Sequence, residues 1–127
     1  MPLTVKVEKS GSGAIYRVSP VGSIDAKTHT ILASQITEVL EKSATCIIFD
    51  MKDVSYVSSA GISVVLMAEK ALKLTGGCAL IVDLQPQVKK VFDIVQALPA
   101  QQIFSSTEEM DRYLTEIQRK VRDGEIE

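Results

Sequence analysis

Segments with the residue spacing of helices alternate with short apolar runs along most of the chain. Two runs at residues 3–8 and 14–19 flank the turn-forming sequence at 10–13, which predicts a β-hairpin. Four helices and three further strands alternate after it, so the predicted order is β, β, α, β, α, β, α, β, α. This order predicts an α/β fold built on an open, mixed, mostly parallel sheet with one antiparallel edge.

Apolar residues that recur every three or four positions place the helices. They predict one helix starting near 25–28, one from Ser58 to Gly76, one from Pro86 to Pro99 and one opening at the capping-box sequence 106–109. The apolar side of the last helix is predicted to comprise Met110, Tyr113, Leu114, Ile117 and Val121. Residues 121–127 are expected to fray.

The three later strands are predicted at residues 45–51, 78–82 and 102–104. The near-continuous apolar character of the first two is typical of strands that are covered on both faces. The whole chain, residues 1–127, is predicted to form one domain with its core at about 3–120.

Composition narrows the class of partner. A net charge of −2 without a basic cluster argues against nucleic acid. No apolar run reaches the roughly 18 residues of a membrane span, and the start of the chain lacks the layout of a secretory signal. We therefore expect a cytoplasmic protein whose partners are proteins, with no membrane association.

The two cysteines are predicted to be buried free thiols. Cys46 and Cys78 each begin an apolar run, where a thiol packs as a small hydrophobic group, and nothing indicates an oxidising compartment. A metal site is disfavoured because there is no Cys-x-x-Cys motif and only one histidine. We expect neither a metal nor a cofactor.

The serine pair Ser58 and Ser59 follows the strand at 45–51 and opens the second predicted helix. The first N–H groups of a helix lack intrahelical partners and the helix dipole is positive there, so a phosphoryl group is electrostatically tolerated. Ser58 is the better helix cap. Ser59, one residue further, is predicted to point outward and to be phosphorylated, with Ser58 the less favoured acceptor.

This element order, with the sequences Gly22-Ser-Ile-Asp25 and Asp53-Val-Ser-Tyr-Val-Ser-Ser-Ala-Gly61, resembles the STAS domain of bacterial anti-sigma factor antagonists over residues 3–120. The resemblance implies a STAS-like fold and phosphorylation of Ser59 by a serine kinase that is also the anti-sigma factor. Ser58 stands where the family has aspartate, and Ala60 where it has Ser or Thr. Asp25 matches a loop aspartate implicated in phosphorylation and partner contact.

The implied function is a switched protein ligand. When unphosphorylated it would bind the anti-sigma factor and thereby free a sigma factor, and a serine phosphatase would reverse the modification. The predicted partner-binding residues are Asp25, Val57, Ser58, Ser59, Gly61, Ile62 and Met67. Gly61 is expected to permit close approach of a partner's backbone. We expect a monomer or weak homodimer.

Other functions remain open. The chain could be a STAS module that senses a nucleotide or lipid, or a scaffold, without being a kinase substrate. For Asp25, capping of the first helix alone competes with an added partner role, and Asp53 is expected to form an Asx turn.

Catalysis and metal binding by the chain itself are disfavoured. A magnesium cluster of Asp50, Asp53 and Asp83, as in receiver domains, is disfavoured because the chain starts with a hairpin. A hydrolase is disfavoured because Val57 replaces the glycine of a nucleophile elbow and His29 precedes the serine. The chain is therefore not expected to be an enzyme.

Overall fold

The structure, a computed structural model, describes residues 3–11, 13–97 and 107–126. Its strands are β1 (Thr4–Lys9), β2 (Ile15–Ile24), β3 (Cys46–Asp50), β4 (Val54–Val57) and β5 (Cys78–Val82). Its helices are α1 (His29–Glu41), α2 (Ser59–Leu74), α3 (Pro86–Ala97) and α4 (Thr107–Arg122). The predicted strand at 102–104, the end of the third predicted helix at Pro99 and the start of the capping box at Ser106 lie outside the described residues.

The sheet has the predicted architecture. Its strands are ordered β1-β2-β3-β5, with β1 antiparallel to β2 and the other neighbours parallel. The prediction of an open, mostly parallel sheet with one antiparallel edge is therefore confirmed. Strand β4 pairs in parallel with the far end of β2.

Strand β2 is longer than predicted, and β4 is a strand that the predicted element order does not include. The first part of β2 pairs with β3, and its last residues pair with β4 after a register shift beside Gly22. Gly22 has φ +121°, a conformation that favours glycine, and its N–H donates to the Asp53 carbonyl at 3.0 Å. Pro20 lies between the two paired stretches, where a missing N–H is tolerated.

The core lies between one face of the sheet and the helices α1 and α2. Ile47 and Phe49 of β3 are fully buried there. The predicted inner residues of these helices, Leu32, Ile36, Val39, Ile62, Val65, Ala68 and Leu72, are buried as well. On the other face Ile48 is only half-buried and Leu80 is 53% exposed. The expectation that the later strands are covered on both faces is therefore wrong for β5.

The chain continues in regular structure beyond residue 120. Helix α4 extends to Arg122, and Gly124 with φ +79° ends it, while the Glu125 N–H donates to the Lys120 carbonyl at 2.8 Å. Helix α4 thus extends past the predicted core boundary at about residue 120, and the fraying of residues 121–127 stays a prediction. None of the helices that the structure describes combines the length and the apolar character needed to cross a bilayer.

The prediction of free thiols is wrong, because Cys46 and Cys78 form a disulfide. They are register partners in β3 and β5, with their Cα atoms 4.7 Å apart. In-register parallel strands place opposite side chains on the same face, so two cysteines 32 positions apart in the chain become neighbours. The pairing depends on strand register, which the cysteine spacing does not reveal.

We expect reduction of this disulfide to lower the free energy of unfolding by about 2–4 kcal/mol, because the crosslink restricts the unfolded chain. Urea unfolding with and without reductant measures the effect. The double variant Cys46→Ser/Cys78→Ser is the control and should not respond to reductant. Alkylation of both thiols in the unreduced, unfolded protein would contradict the pairing.

Candidate functional site

The candidate site is the junction where β4 ends and α2 begins. Ser58 has an extended backbone, with φ −93° and ψ 175°, and its Oγ accepts a hydrogen bond from the Gly61 N–H at 3.4 Å. Its own N–H donates to the Ile24 carbonyl at 2.8 Å, which fixes the junction to the end of β2. The prediction that Ser58 caps the second helix is therefore confirmed.

Ser59 does not point outward as predicted. It is 8% exposed, and its Oγ donates to Asp111 Oδ1 of α4 at 2.6 Å. The Ser59 N–H donates to the same carboxylate oxygen at 3.0 Å. The first turn of α2 contains no acidic residue, so Asp111 supplies the negative charge that favours a helix N-terminus.

One side of α4 covers this junction, and we call its residues Asp111, Leu114, Thr115 and Gln118 the cover face. Leu114 is fully buried, and the Thr115 hydroxyl lies 2.8 Å from the Tyr56 hydroxyl. The Gln118 amide bonds the backbone of Val57 twice: its Oε1 accepts from the N–H at 2.9 Å and its Nε2 donates to the carbonyl at 2.8 Å.

The cover face was missed by the sequence reasoning, which expected a purely apolar inner side. Leu114 is buried as predicted, but Tyr113 is 43% exposed. Asp111, Thr115 and Gln118 recur at intervals of four and three, the spacing of one helical face. A polar stripe at this spacing beside Leu114 was the available signal.

A second glutamine, Gln87, donates a hydrogen bond to the backbone earlier along the same edge of β4. Gln87 of α3 is 6% exposed, and its Nε2 donates to the Ser55 carbonyl at 3.0 Å. Gln118 serves Val57 at the end of the same edge. Side-chain amides therefore take the place of a neighbouring strand along β4.

Most of the predicted partner-binding residues are not on the surface. Those buried are Val57, Ser58, Ser59, Gly61 and Ile62. Met67 is 69% exposed and Asp25 is half-buried. A Cβ at Gly61 would lie 2.7 Å from Ile24 Cγ2 and from Val57 Cγ2, so the close approach at this glycine is made within the chain, not by a partner.

Asp25 organises the turn before α1. Its Oδ1 accepts from the N–H groups of Lys27 and Thr28 at 2.9 and 3.1 Å, while Thr28 itself occupies the N-cap position. Desolvation acts to raise the pKa of Asp25, but these hydrogen bonds and one with the Thr28 hydroxyl outweigh it, so its pKa lies below the usual value. Asp25 therefore caps the turn that precedes α1, and the prediction that it is the N-cap of the first helix is wrong because Thr28 occupies that position.

Asp50, at the sheet edge, is engaged with two cations and with the backbone. Asp50 is 2% exposed and bonds Arg17 at 2.9 Å, with Lys52 Nζ at 3.6 Å. Desolvation acts to raise the pKa of Asp50, but the bonds from Arg17 and the Lys52 N–H hold it below its usual value. The Asx-type contact in this loop is made by Asp50 to the Lys52 N–H at 3.2 Å. Across residues 3–11, 13–97 and 107–126, no three metal-ligating side chains form a group.

The family model of the STAS domain matches residues 5–110. The match covers most of the chain, so the chain belongs to the STAS domain family, as its resemblance predicts. The cover face begins at Asp111, directly after the last matched residue. The family match therefore includes the serine junction but not the residues that cover it.

Several anti-sigma factor antagonists are similar to this chain. BtrV of Bordetella bronchiseptica, named as one, is 29% identical over 73 residues, which span 58% of this chain and 63% of that protein. An antagonist from Mycobacterium paratuberculosis superposes with a TM-score of 0.68 at 19% identity, covering 91% of this chain and 94% of the other. Unphosphorylated SpoIIAA, a Bacillus protein also solved in its phosphorylated form, superposes with a TM-score of 0.61 at 21% identity. That superposition covers 72% of this chain and 83% of SpoIIAA. The structural likenesses support the fold.

Asp25→Ala should lower the free energy of unfolding by about 1 kcal/mol at neutral pH, because two N–H groups lose their acceptor. The folded pKa of Asp25 is below its unfolded value of about 3.9, so this stabilisation is complete above that pH and is lost as pH falls through the folded pKa. Urea unfolding near neutral pH and at about pH 3 tests this. Glu38→Ala, at an exposed position of α1, is the control. A deficit that does not shrink in acid would contradict the assignment.

Gly61→Ala should destabilise the fold by about 1–3 kcal/mol, because the added methyl group meets Ile24 and Val57. This cost outweighs the gain of about 1 kcal/mol in helix propensity. Ser63→Ala changes an exposed position of the same helix and should stay within about 0.5 kcal/mol of the parent. Equal thermal unfolding of the two variants would show that the junction has room for a side chain.

Proposed function

We propose that this protein is an anti-sigma factor antagonist that is controlled by phosphorylation of Ser59. In its unmodified form it binds an anti-sigma factor that is also a serine kinase, and a sigma factor is thereby released. Membership of the STAS family and the relatives named as antagonists support the general role. The phosphorylated form of SpoIIAA supports modification as the control in a protein of this fold.

The proposal rests on the different hydrogen bonds that the two serine hydroxyls make. The Ser58 hydroxyl accepts from the Gly61 N–H, so it is committed to the helix cap. The Ser59 hydroxyl caps nothing within α2 and is held by one side chain of another helix. Ser59 is therefore the hydroxyl that can be esterified without dismantling the start of α2.

The modification is a phosphoryl transfer from ATP. The Ser59 Oγ forms a bond to the γ-phosphorus as the bond from that phosphorus to the bridging oxygen of ADP breaks, and the hydroxyl proton passes to a base. The product carries about −1.5 to −2 charge at neutral pH. Desolvating that charge against a surface shaped for a hydroxyl weakens the complex.

The partner surface follows from what is accessible. Met67 and the Asp25 loop are the predicted contact residues that the folded chain exposes at least in part. Val57, Ser58, Ser59, Gly61 and Ile62 contribute only where α4 and the packing around them rearrange. A serine phosphatase would restore the binding form, and we propose a cytoplasmic location and a monomer or weak homodimer.

One observation favours a second function. The burial of Ser59 beneath α4 suits a STAS module that senses a nucleotide or lipid, or acts as a scaffold, and is not a kinase substrate. Saturable nucleotide binding by a protein that stays unphosphorylated in its native cells would favour this function.

Intact-mass analysis with site mapping of the protein from its native cells should find one phosphoryl group, on Ser59. The Ser59→Ala variant should lose it, and the exposed Ser63→Ala variant of the same helix should keep it. Full phosphorylation of Ser59→Ala would refute the site.

Once the partner kinase is purified, the Ser59→Ala variant should remain bound to it in the presence of ATP. Ser59→Asp should bind about 100- to 1,000-fold more weakly, which corresponds to about 3–4 kcal/mol. Titration calorimetry measures both. Equal affinities of Ser59→Asp and the parent would contradict the charge-based switch.

A further inference from the structure

We propose that the docked cover face of α4 and a phosphoryl group on Ser59 exclude one another, so that α4 covers the site only while Ser59 is unmodified. The biological use of this device rests on the proposed function, since a kinase must modify Ser59. The exclusion itself follows from the contacts of Ser59 and Asp111. It makes the position of α4 the structural consequence of modification.

The first reason for this exclusion is the lack of space between Ser59 and Asp111. The Ser59 Oγ and Asp111 Oδ1 are 2.6 Å apart, which leaves no room for a phosphorus atom and its three further oxygens. Esterification also removes the hydroxyl proton, so Oγ loses its ability to donate to Asp111. The hydroxyl bond between Ser59 and Asp111 is therefore lost on modification.

Charge is the second reason. The Asp111 carboxylate accepts from the Ser59 N–H and occupies the anion position at the N-terminus of α2. A phosphoryl group on Ser59 would lie at the same helix N-terminus and carry about −1.5 to −2 charge. Two anions then compete for one set of donors, and Asp111 is the one on a separate element.

The remaining contacts determine what is released. Thr115 meets Tyr56, and Gln118 meets Val57, at successive positions further along the cover face. Loss of the Asp111 contact therefore loosens the first turns of α4 and uncovers the end of β4. The coupling is reciprocal, so weaker docking of α4 favours modification of Ser59 by the same free energy.

The test uses the full chain with phosphoserine encoded at position 59 during synthesis, compared with the unmodified chain. Amide hydrogen exchange in residues 107–122 should become about tenfold faster or more, within the range usual for coupled sites. Amides of α1 and β3 should keep their protection, which shows that the domain remains folded. Unchanged exchange in α4 would overturn the proposal.

The role of Asp111 is tested by repeating the comparison in an Asp111→Asn background. Removing the carboxylate should reduce the acceleration caused by phosphoserine, because the competing anion is gone. Glu116→Gln, which changes an exposed acidic residue on the same helix, is the matched control and should leave the acceleration unchanged. An equal acceleration in the Asp111→Asn background would overturn the role assigned to Asp111.

If the phosphoserine chain does not fold, Ser59→Glu and Ser59→Gln provide the same test with side chains of equal size. Faster α4 exchange in both variants than in the parent supports exclusion by size, and a further increase in Ser59→Glu supports the contribution of charge. Exchange at the parent's rate in both variants overturns the proposal. No kinase takes part in these measurements. Absence of phosphate on Ser59 in the native protein would therefore refute the proposed function. The hydrogen exchange of α4 would still test the exclusion independently.

Discussion

The arrangement of the site depends on the hydrogen bonding of one short strand. Strand β4 pairs with β2 along one edge, and its other edge is bonded by the amides of Gln87 and Gln118. Buried backbone groups without partners are costly, so a helix that brings a glutamine to this edge is fixed in register with it. Gln118 therefore sets where α4 lies, and the position of Asp111 follows two turns earlier.

The start of α2 illustrates how two adjacent residues of one type acquire different roles. Ser58 is extended and caps the helix, whereas Ser59 is the first helical residue and its hydroxyl points to α4. The family's acidic position is held by Ser58, and the carboxylate beside Ser59 comes instead from Asp111, 52 positions later. Tertiary structure therefore places a carboxylate beside Ser59, although the first turn of α2 contains none.

Predictions of helix faces and of the helix cap, which relied on local patterns, succeeded, whereas contacts that depend on strand register were missed. Helix faces such as Leu32, Ile36 and Val39 follow from periodicity, and so does the cap at Ser58. Strand β4 was missed because its pairing depends on the register shift of β2 beside Gly22.

The Cys46–Cys78 bond and the Ser59–Asp111 contact were missed for a related reason. Each joins residues brought together only by the complete fold. Burial of Ser59 was not predicted, because the element that covers it contributes polar residues at helical spacing rather than a run of apolar ones.

The composition of the cover face makes it suited to release. Leu114 is its one fully buried apolar residue, whereas Asp111, Thr115 and Gln118 dock through hydrogen bonds that water can replace when the helix moves away. The neighbouring Tyr113 is already 43% exposed. Opening of the cover face alone therefore exposes little apolar surface beyond Leu114, while α4 can keep its packing against α3. In the mechanism proposed for α4, Ser59 is therefore buried in the resting state and becomes accessible without unfolding of the sheet.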